Sequence, residues 1–470
     1  MTAPTGYASS VVAPNGVWRT EFADTIRLAL PLALTQLGQI AMMTCDLLLI
    51  GRLGDQAVAA ASLGHAALFS AFMIGLGLAA AVTPLAAQAF GARNPRMVRR
   101  ALRVGMWAAV IVGIPVTLGL LHTESMLLWF GQTPELSTLA GRYLDGMAWS
   151  LIPAWLFIAL RGFMSALNRP QPALWIMLAA VPVNALLAYA LIYGHFGLPA
   201  LDLLGAGLAT TFVDIGMFCA SLWVCATRRP FRKFHILNRF WRLDGPLLGK
   251  LVLLGLPISA AMLLEHGLFA AASLMMGRIG VSALAAHQIA LQVTAVVFMV
   301  PLGISFAATV RVGHASGRSD AAAARRAGIA AMVLGVSFQA AMAIVVVATR
   351  ERLPLLFLGD AGSQATVAVA ATLLLLGAAF FVVDGLQTIA AGSLRGFNDT
   401  FVPFLFAAFG FWMVGFMTAW LLAFNIGWGA AGIWVGLSIG IAVYASLLVW
   451  RFKVLTDRGH LPSTSSLAFQ

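Results

Sequence analysis

The segment Met42–Gly54, MMTCDLLLIGRLG, places the carboxylate of Asp46 in an apolar stretch that begins near Leu28. A charge at the centre of a membrane helix costs about 2.5–3.5 kcal/mol on insertion scales. The end of the segment, LLIGRLG (48–54), recurs in the second half of the chain as LMMGRIG (274–280). The segment therefore predicts a membrane helix that contains a functional acid. It also indicates that the chain is internally duplicated.

The composition of the chain is typical of a membrane protein. Hydrophobic residues make up 61% of it, charged residues 10%, and the mean hydropathy is +0.91. The net charge of +12 resides mostly in short loops, which favours contact with a lipid surface over nucleic acid. Three cysteines in apolar segments provide neither a disulfide framework nor metal-ligand spacing: Cys45, Cys219 and Cys225.

Twelve apolar segments satisfy the requirement of about 20 residues for a helix that crosses a bilayer. They are 25–50, 57–82, 103–122, 140–160, 171–193, 203–226, 252–275, 283–308, 324–347, 367–390, 402–424 and 430–451. They predict an all-α polytopic membrane protein made of two six-helix bundles. The predicted divisions are an N-terminal tail 1–24, bundles 25–227 and 251–452, a basic linker 228–250 and a C-terminal tail 453–470.

The loop charges predict the orientation of the chain. Alternate loops are rich in arginine, whereas GHFGLPALDLLG (194–205) and NIGWGAAG (425–432) contain no Lys or Arg. By the positive-inside rule both termini lie in the cytoplasm, and we expect the inner membrane of a bacterial cell. The loop cations are Arg93, Arg96, Arg99, Arg100, Arg103, Arg228, Arg229, Arg232, Lys233, Arg239, Arg242, Lys250, Arg311, Arg318, Arg325 and Arg326.

A gap-free match between the two halves of the chain indicates duplication. Segment 46–100 aligns with segment 272–326, and 17 of the 55 aligned positions are identical, including several Gly and Arg. In the same register, LALPLAL around Pro31 meets LGLPISA around Pro257. Both prolines remove a helical hydrogen bond and are hinge candidates. Two packed repeats with a site between them are the usual plan of a secondary transporter.

The acids, in contrast, do not repeat. Asp46 aligns with alanine, Glu265 aligns with Gln39, and Asp384 aligns with alanine in a slightly different register. Both halves need the same packing, so an acid kept in only one half indicates function. A carboxylate shielded from water can exchange a proton near neutral pH, and its oxygens also suit Na⁺. A merely structural, hydrogen-bonded acid is the alternative, and for Asp214 that alternative is favoured.

Glu265 and Asp384 are predicted to face one cavity in the C-terminal half. There they are expected to bind the coupling ion, which is H⁺ or Na⁺. Asp46 is predicted to form a second proton or substrate site. Other candidates for the cavity are Gln39, Asn184, Gln288 and Gln387. His266 and His287 are more typical of satisfied histidines than of proton carriers. The charges at membrane depth are expected to be acidic.

Eight motifs, in order and spacing, resemble the multidrug and toxic compound extrusion (MATE) family in its NorM-like branch. The resemblance covers nearly the whole chain. The motifs are CDLLLIGRLG, QAFGARN, LNRPQPAL, VPVNALLAYALIYGHFGLPALDLLGAGLAT, LGLPISAAMLLEHGLFAA, AAHQIALQV, VPLGISFAATVRVG and VVDGLQTIAAGSLRGFNDT.

This resemblance implies a V-shaped pair of bundles that exports cationic amphipathic drugs or dyes by alternating access, driven by inward H⁺ or Na⁺. Acidic positions of the branch are matched by Asp46, Glu265 and Asp384, and its amide positions by Asn184 and Gln288. Phe380 stands where the branch can carry a tyrosine, and the lost oxygen favours protons. A monomer in the bilayer is expected, without a cofactor other than the coupling ion and without a nucleic-acid partner.

Two alternatives lie in other functional classes. A flippase for lipid-linked oligosaccharides would place basic residues in the central cavity to hold phosphates. A membrane-embedded enzyme would need a clustered nucleophile, base or metal set. The sequence shows neither pattern at spanning depth, so we expect a transporter and not an enzyme.

Overall fold

A computed structural model describes residues 14–238, 240–358 and 364–457. Arg239 of the predicted linker and the tail residues 1–13 and 458–470 lie outside the described residues. Within the described ranges, twelve helices are long and apolar enough to cross a membrane. They are α1 (Pro14–Gly51), α2 (Asp55–Gly91), α3 (Pro95–Leu120), α4 (Pro134–Ala166), α5 (Gln171–Tyr193), α6 (Asp202–Thr227), α7 (Gly245–Ile279), α8 (Val281–Gly317), α9 (Ala321–Thr349), α10 (Gln364–Gly396), α11 (Phe401–Asn425) and α12 (Gly429–Asp457).

The twelve predicted spans are confirmed, but several helices continue past the predicted ends. The sequence places the ends of the second and eighth spans at residues 82 and 308, whereas α2 and α8 run to Gly91 and Gly317. Each of these helices has 37 residues and is therefore about 55 Å long, against about 30 Å for the hydrocarbon core. A spanning window of about 20 residues covers only part of such a helix. The turns that it misses, 83–91 and 309–317, are mostly buried between helices.

Three helices begin on one face of the bundle with the same kind of side-chain cap. Asn94, Asp244 and Asp320 each accept a hydrogen bond from a backbone N–H one turn later, at 3.0, 3.4 and 2.8 Å. These caps satisfy otherwise free N–H groups at the starts of α3, α7 and α9. The arginine-rich loops lie on this face, which we call the basic face.

Pro31 and Pro257 lie inside the continuous helices α1 and α7. Their role as hinges stays a prediction, as do the boundaries of the two bundles and the linker. Elsewhere the helices are irregular, because α4 contains a 3₁₀ turn at Ala148–Ser150 and α11 is π-helical at Ala408–Phe416 and Leu421–Asn425.

The halves meet through pseudo-symmetric contacts, because α1 packs on α8 and α2 packs on α7. A methyl group on Gly77 would clash with Ser259, and one on Gly303 would clash with Ala33. These two contacts are equivalent by the internal repeat, which aligns Gly77 with Gly303 and Ala33 with Ser259. The duplicated sequence thus builds a duplicated interface, in which glycine allows backbones of opposite halves to touch.

Ion pairs close this interface at the basic face. Arg311 of α8 pairs with Glu21 and, at 3.3 Å, with Asp24, both on α1. Arg100 of α3 pairs with Asp244, at the start of α7, at 2.5 Å. Each pair joins the N-terminal half to the C-terminal half. The halves are therefore clamped together where the basic loops lie.

Away from the basic face the halves separate. Ala29 and Ala33 lie on the side of α1 that faces the C-terminal half, and both are buried. Further along the same side, Ile40 is half-buried, and Met43 and Leu47 are each 52% exposed. The exposure of this stripe rises with distance from the basic face, so the cleft between the halves widens in that direction, as the predicted V shape requires.

We expect Gly77→Ala and Gly303→Ala each to lower the unfolding free energy by about 1–3 kcal/mol, because each added methyl group forces the two backbones apart. Thermal unfolding in detergent measures the loss. Gly119→Ala is the control, since nothing lies within 4 Å of the added methyl group. Equal melting temperatures for all three variants would contradict the close interface.

Candidate ion and substrate sites

Two acids of the C-terminal half share one donor. Gln387 Nε2 lies 3.1 Å from Glu265 Oε1 and 3.2 Å from Asp384 Oδ1. Asp384 and Gln387 are one helical turn apart on α10, so they project from one face, and each is only 3% exposed. The structure therefore brings together Glu265, Asp384 and Gln387, as the sequence predicts.

Aromatic rings cover this acid pair. Phe380, one turn before Asp384, is fully buried, and its ring centroid lies 6.1 Å from that of Phe269 and 5.5 Å from that of Trp434. The indole N–H of Trp434 donates to Nδ1 of His287 at 3.1 Å, while Nε2 of His287 has no partner among the described residues. None of these rings carries a side-chain oxygen. The buried phenol of Tyr444 on α12 lies near enough to Glu265 for the two groups to interact.

A second polar cluster lies inside the N-terminal half. Asp46 accepts hydrogen bonds from Asn184 Nδ2 at 2.5 Å and from Thr210 Oγ1 at 3.3 Å. Asn184 is fully buried, and its Oδ1 has no partner in the described part of the chain. Asp214, one turn beyond Thr210 on α6, is 7% exposed and lies near enough to Asp46 for their charges to interact.

Apolar side chains separate the N-terminal cluster from the main core. Met42, one turn before Asp46, packs with Phe157, Met177, Val213 and Met217 in a small cluster of its own. Methionine is unbranched and polarizable, so such a wall adapts readily to different shapes. Carboxylates beside an adaptable apolar wall can hold a small cation or the charged end of an amphipathic molecule.

A family model described as MatE matches the chain twice, at residues 31–190 and 257–421. The two matches begin at Pro31 and Pro257, the prolines that the internal repeat aligns. The chain is 60% identical over 460 residues to the probable multidrug resistance protein NorM of Rhodopseudomonas palustris, covering 97% of each chain. It is also 38% identical over 455 residues to the multidrug resistance protein NorM of Burkholderia vietnamiensis, covering 96% of this chain and 98% of that protein.

This chain belongs to the MATE family. It lies in the NorM-like branch, and it is a multi-pass membrane protein for multidrug efflux and not an enzyme, as the motifs predict. The eukaryotic MATE transporter AtDTX14 has the same fold, with a TM-score of 0.83 at 20% identity over 94% of this chain and 98% of that one. A MATE structure in the straight conformation gives a TM-score of 0.85 at 18% identity, over 93% and 97% of the chains.

Two predicted cavity residues of this MATE protein do not join the acid clusters. Gln39 and Gln288 are exposed, and neither hydrogen-bonds to an acid within the described ranges. Gln288 lies about five helical turns before Phe306 on α8, and the ring of Phe306 contacts Arg161 of the N-terminal half. Gln288 therefore lies on the side of α8 that faces the cleft between the halves.

Two arginines outside the predicted spans are also withdrawn from solvent. Arg161 on α4 is 7% exposed, and the partly buried Arg395 on α10 donates to Ser305 Oγ at 3.0 Å. The predicted spans end at residues 160 and 390, so the span prediction includes neither arginine. Apolar residues on both sides of Arg161, in LFIALRGFMSAL (156–167), are the sequence signal for its burial.

Gln387→Leu is expected to lower the unfolding free energy by about 1–3 kcal/mol, because it leaves the buried carboxyl group of Asp384 and the partly buried one of Glu265 without their shared donor. Asp384→Asn in the same chain should restore part of the loss, since one of two like charges disappears. Thermal unfolding of the single and double variants measures the coupling. The control is Thr372→Val, an exposed position on α10 whose hydroxyl contacts only the Ala368 carbonyl oxygen. Additive effects would contradict the shared-donor geometry.

Proposed function

We propose that this transporter exports cationic amphipathic compounds in exchange for inward protons, with Na⁺ as the alternative coupling ion. The observation that carries the proposal is the single amide donor shared by Glu265 and Asp384. One neutral N–H₂ group cannot compensate two negative charges in a low-dielectric interior. A proton or a cation must therefore bind when both acids lose contact with water.

Two features favour protons over Na⁺. Phe380 replaces an oxygen donor at the edge of the pair, and no third acid, His or Cys completes a metal-binding group in the described residues. A proton needs only one carboxyl oxygen, so it fits the pair with fewer ligands.

Coupling follows from the clamp at the basic face. In the structure the halves are held together there by Arg311 with Glu21 and by Arg100 with Asp244, while the cleft widens toward the other face. An ion shifts such an equilibrium only by binding one state more tightly than the other. Protonation of the acid pair from the open side would favour release of a cationic drug into that side.

The N-terminal cluster serves as the second proton or substrate site in this proposal. Asp46 has two neutral donors, Asn184 and Thr210, and a second acid, Asp214, lies close by. That proximity assigns Asp214 to the same site, although its sequence context favours a structural role. Bacterial relatives and the arginine-rich loops support the inner membrane with cytoplasmic termini, and we propose a monomer that needs no cofactor beyond the coupling ion.

Asp384→Asn and Glu265→Gln should each abolish gradient-driven uptake of a fluorescent organic cation into inside-out proteoliposomes, because each variant removes one of the two carboxylates that bind the coupling ion in this proposal. The measurement is dye accumulation at matched protein content. Glu351→Gln, an exposed acid outside both sites, is the control and should pump normally. Full coupled transport by Asp384→Asn would rule out the acid pair as the ion site.

Separate gradients identify the coupling ion. We expect a proton gradient alone to drive efflux, and a sodium gradient alone, at equal pH and zero membrane potential, to drive little. The same vesicles and dye are used for both arms, and an ionophore for each ion collapses its gradient as the control. Transport driven by sodium and insensitive to the proton gradient would assign Na⁺ to the acid pair.

A further inference from the structure

Arg161 joins three helices from both halves. Its Nη1 donates to Gln36 Oε1 of α1 at 2.5 Å, and its guanidinium carbon lies 5.3 Å from the ring centroid of Phe306 on α8. Arg161 belongs to the N-terminal half, and Phe306 belongs to the C-terminal half. The side chain therefore lies where the halves meet.

No carboxylate of the described residues lies within ion-pair distance of this guanidinium. The ion pairs within the described ranges engage Arg100, Arg311, Arg325, Arg326 and Arg451. The hydrogen-bond and ring partners of the guanidinium in that part of the chain are a neutral amide and a phenyl ring. A buried charge without a counterion is costly, and the effective penalty in proteins is several kcal/mol.

The scaffold does not need this charge. In the register of the repeat that pairs Gly162 with Gly392, Arg161 falls on Ala391. A methyl group on Gly162 would clash with Thr83, and one on Gly392 would clash with Ser305, so both glycines lie in close helix contacts. Beside its glycine the C-terminal half has a methyl group where the N-terminal half has a guanidinium.

Arg161 lies at the closed end of the cleft. Gln36, its hydrogen-bond partner, is 8% exposed and begins the stripe of α1 that continues through Ile40 to Met43 and Leu47. The latter two are each 52% exposed. A molecule that enters the cleft along this stripe would meet apolar walls first and the guanidinium at the floor.

We propose that Arg161 is an anion subsite that binds the carboxylate of amphipathic zwitterions at the floor of the cleft. One donor of its planar fork is used by Gln36, and the others can hold a carboxylate with charge-assisted hydrogen bonds. Phe306, Met43 and Leu47 contact the aromatic body, and the amine end lies toward the acids. This inference rests on the proposed export of amphipathic amines and extends it to compounds that carry both charges.

A matched ligand pair tests the subsite on the purified full chain. The probes are a fluorescent aromatic amino acid with a free carboxylate and its methyl ester, which is a simple cation. We expect the unaltered protein to bind the zwitterion about 10-fold or more tightly than the ester, as one charge-assisted hydrogen bond implies. Equal affinity for the two probes would overturn the proposal without any variant.

Arg161→Gln should weaken binding of the zwitterion about 10- to 100-fold and change binding of the ester less than about twofold. Arg161→Lys, which keeps the charge but loses the fork, should give an intermediate loss for the zwitterion alone. The control is Arg278→Gln, an exposed arginine 5.3 Å from the ring of Trp420 at the far end of α7. It should leave both affinities unchanged.

Each other outcome has a distinct meaning. An equal loss for both probes in Arg161→Gln, or no loss for either, would overturn the subsite and leave Arg161 as an interface residue only. A protein that transports neither probe in vesicles but still binds the zwitterion through Arg161 would contradict the proposed function and leave the subsite standing.

Discussion

Glu265 and Asp384 lie within a bundle of apolar helices, and the amide of Gln387 is the one hydrogen-bond donor that they share in the described part of the chain. Charge in such surroundings is tolerated only when a counterion, a proton or several strong donors compensate it. Neither a cationic partner at hydrogen-bond distance nor a set of backbone donors meets this need in the described residues. The acid pair therefore needs a proton or a cation that can bind and leave. A transporter can couple that binding to the opening and closing of the cleft.

The scaffold around this site is symmetric, and its charges are not. Gly77 against Ser259 and Gly303 against Ala33 are equivalent contacts, so the halves can rock about an axis between them. The acids occupy different aligned positions in the two halves, because Asp46 aligns with Ala272 and Glu265 aligns with Gln39. Arg161 has an alanine as its counterpart. The repeated glycine contacts give the two halves equivalent packing. The unrepeated acids and Arg161 give each half different groups with which to bind an ion or a substrate.

Much of the fold follows from the sequence because lipid imposes a simple constraint. Apolar length finds the twelve helices, and the loop arginines separate the basic face from the other. Glu265, Asp384 and Gln387 are predictable as a group since each is a polar side chain in an apolar run. A window of bilayer length does not show how far a helix continues inside the protein, so α2 and α8 extend beyond their predicted limits. The remaining site residues depend on tertiary contacts that a single sequence does not encode. Thr210 is an ordinary helical threonine until α6 packs beside α1 and brings its hydroxyl to Asp46.

The most direct test measures protons while a drug binds. Purified protein in weak buffer is titrated with an organic cation, and the pH change gives the protons released per bound molecule. The account predicts release from the unaltered chain and none from a chain carrying both Glu265→Gln and Asp384→Asn. Tight drug binding by the unaltered chain with no proton release, and with no dependence on Na⁺, would contradict the exchange of cations at the acid pair.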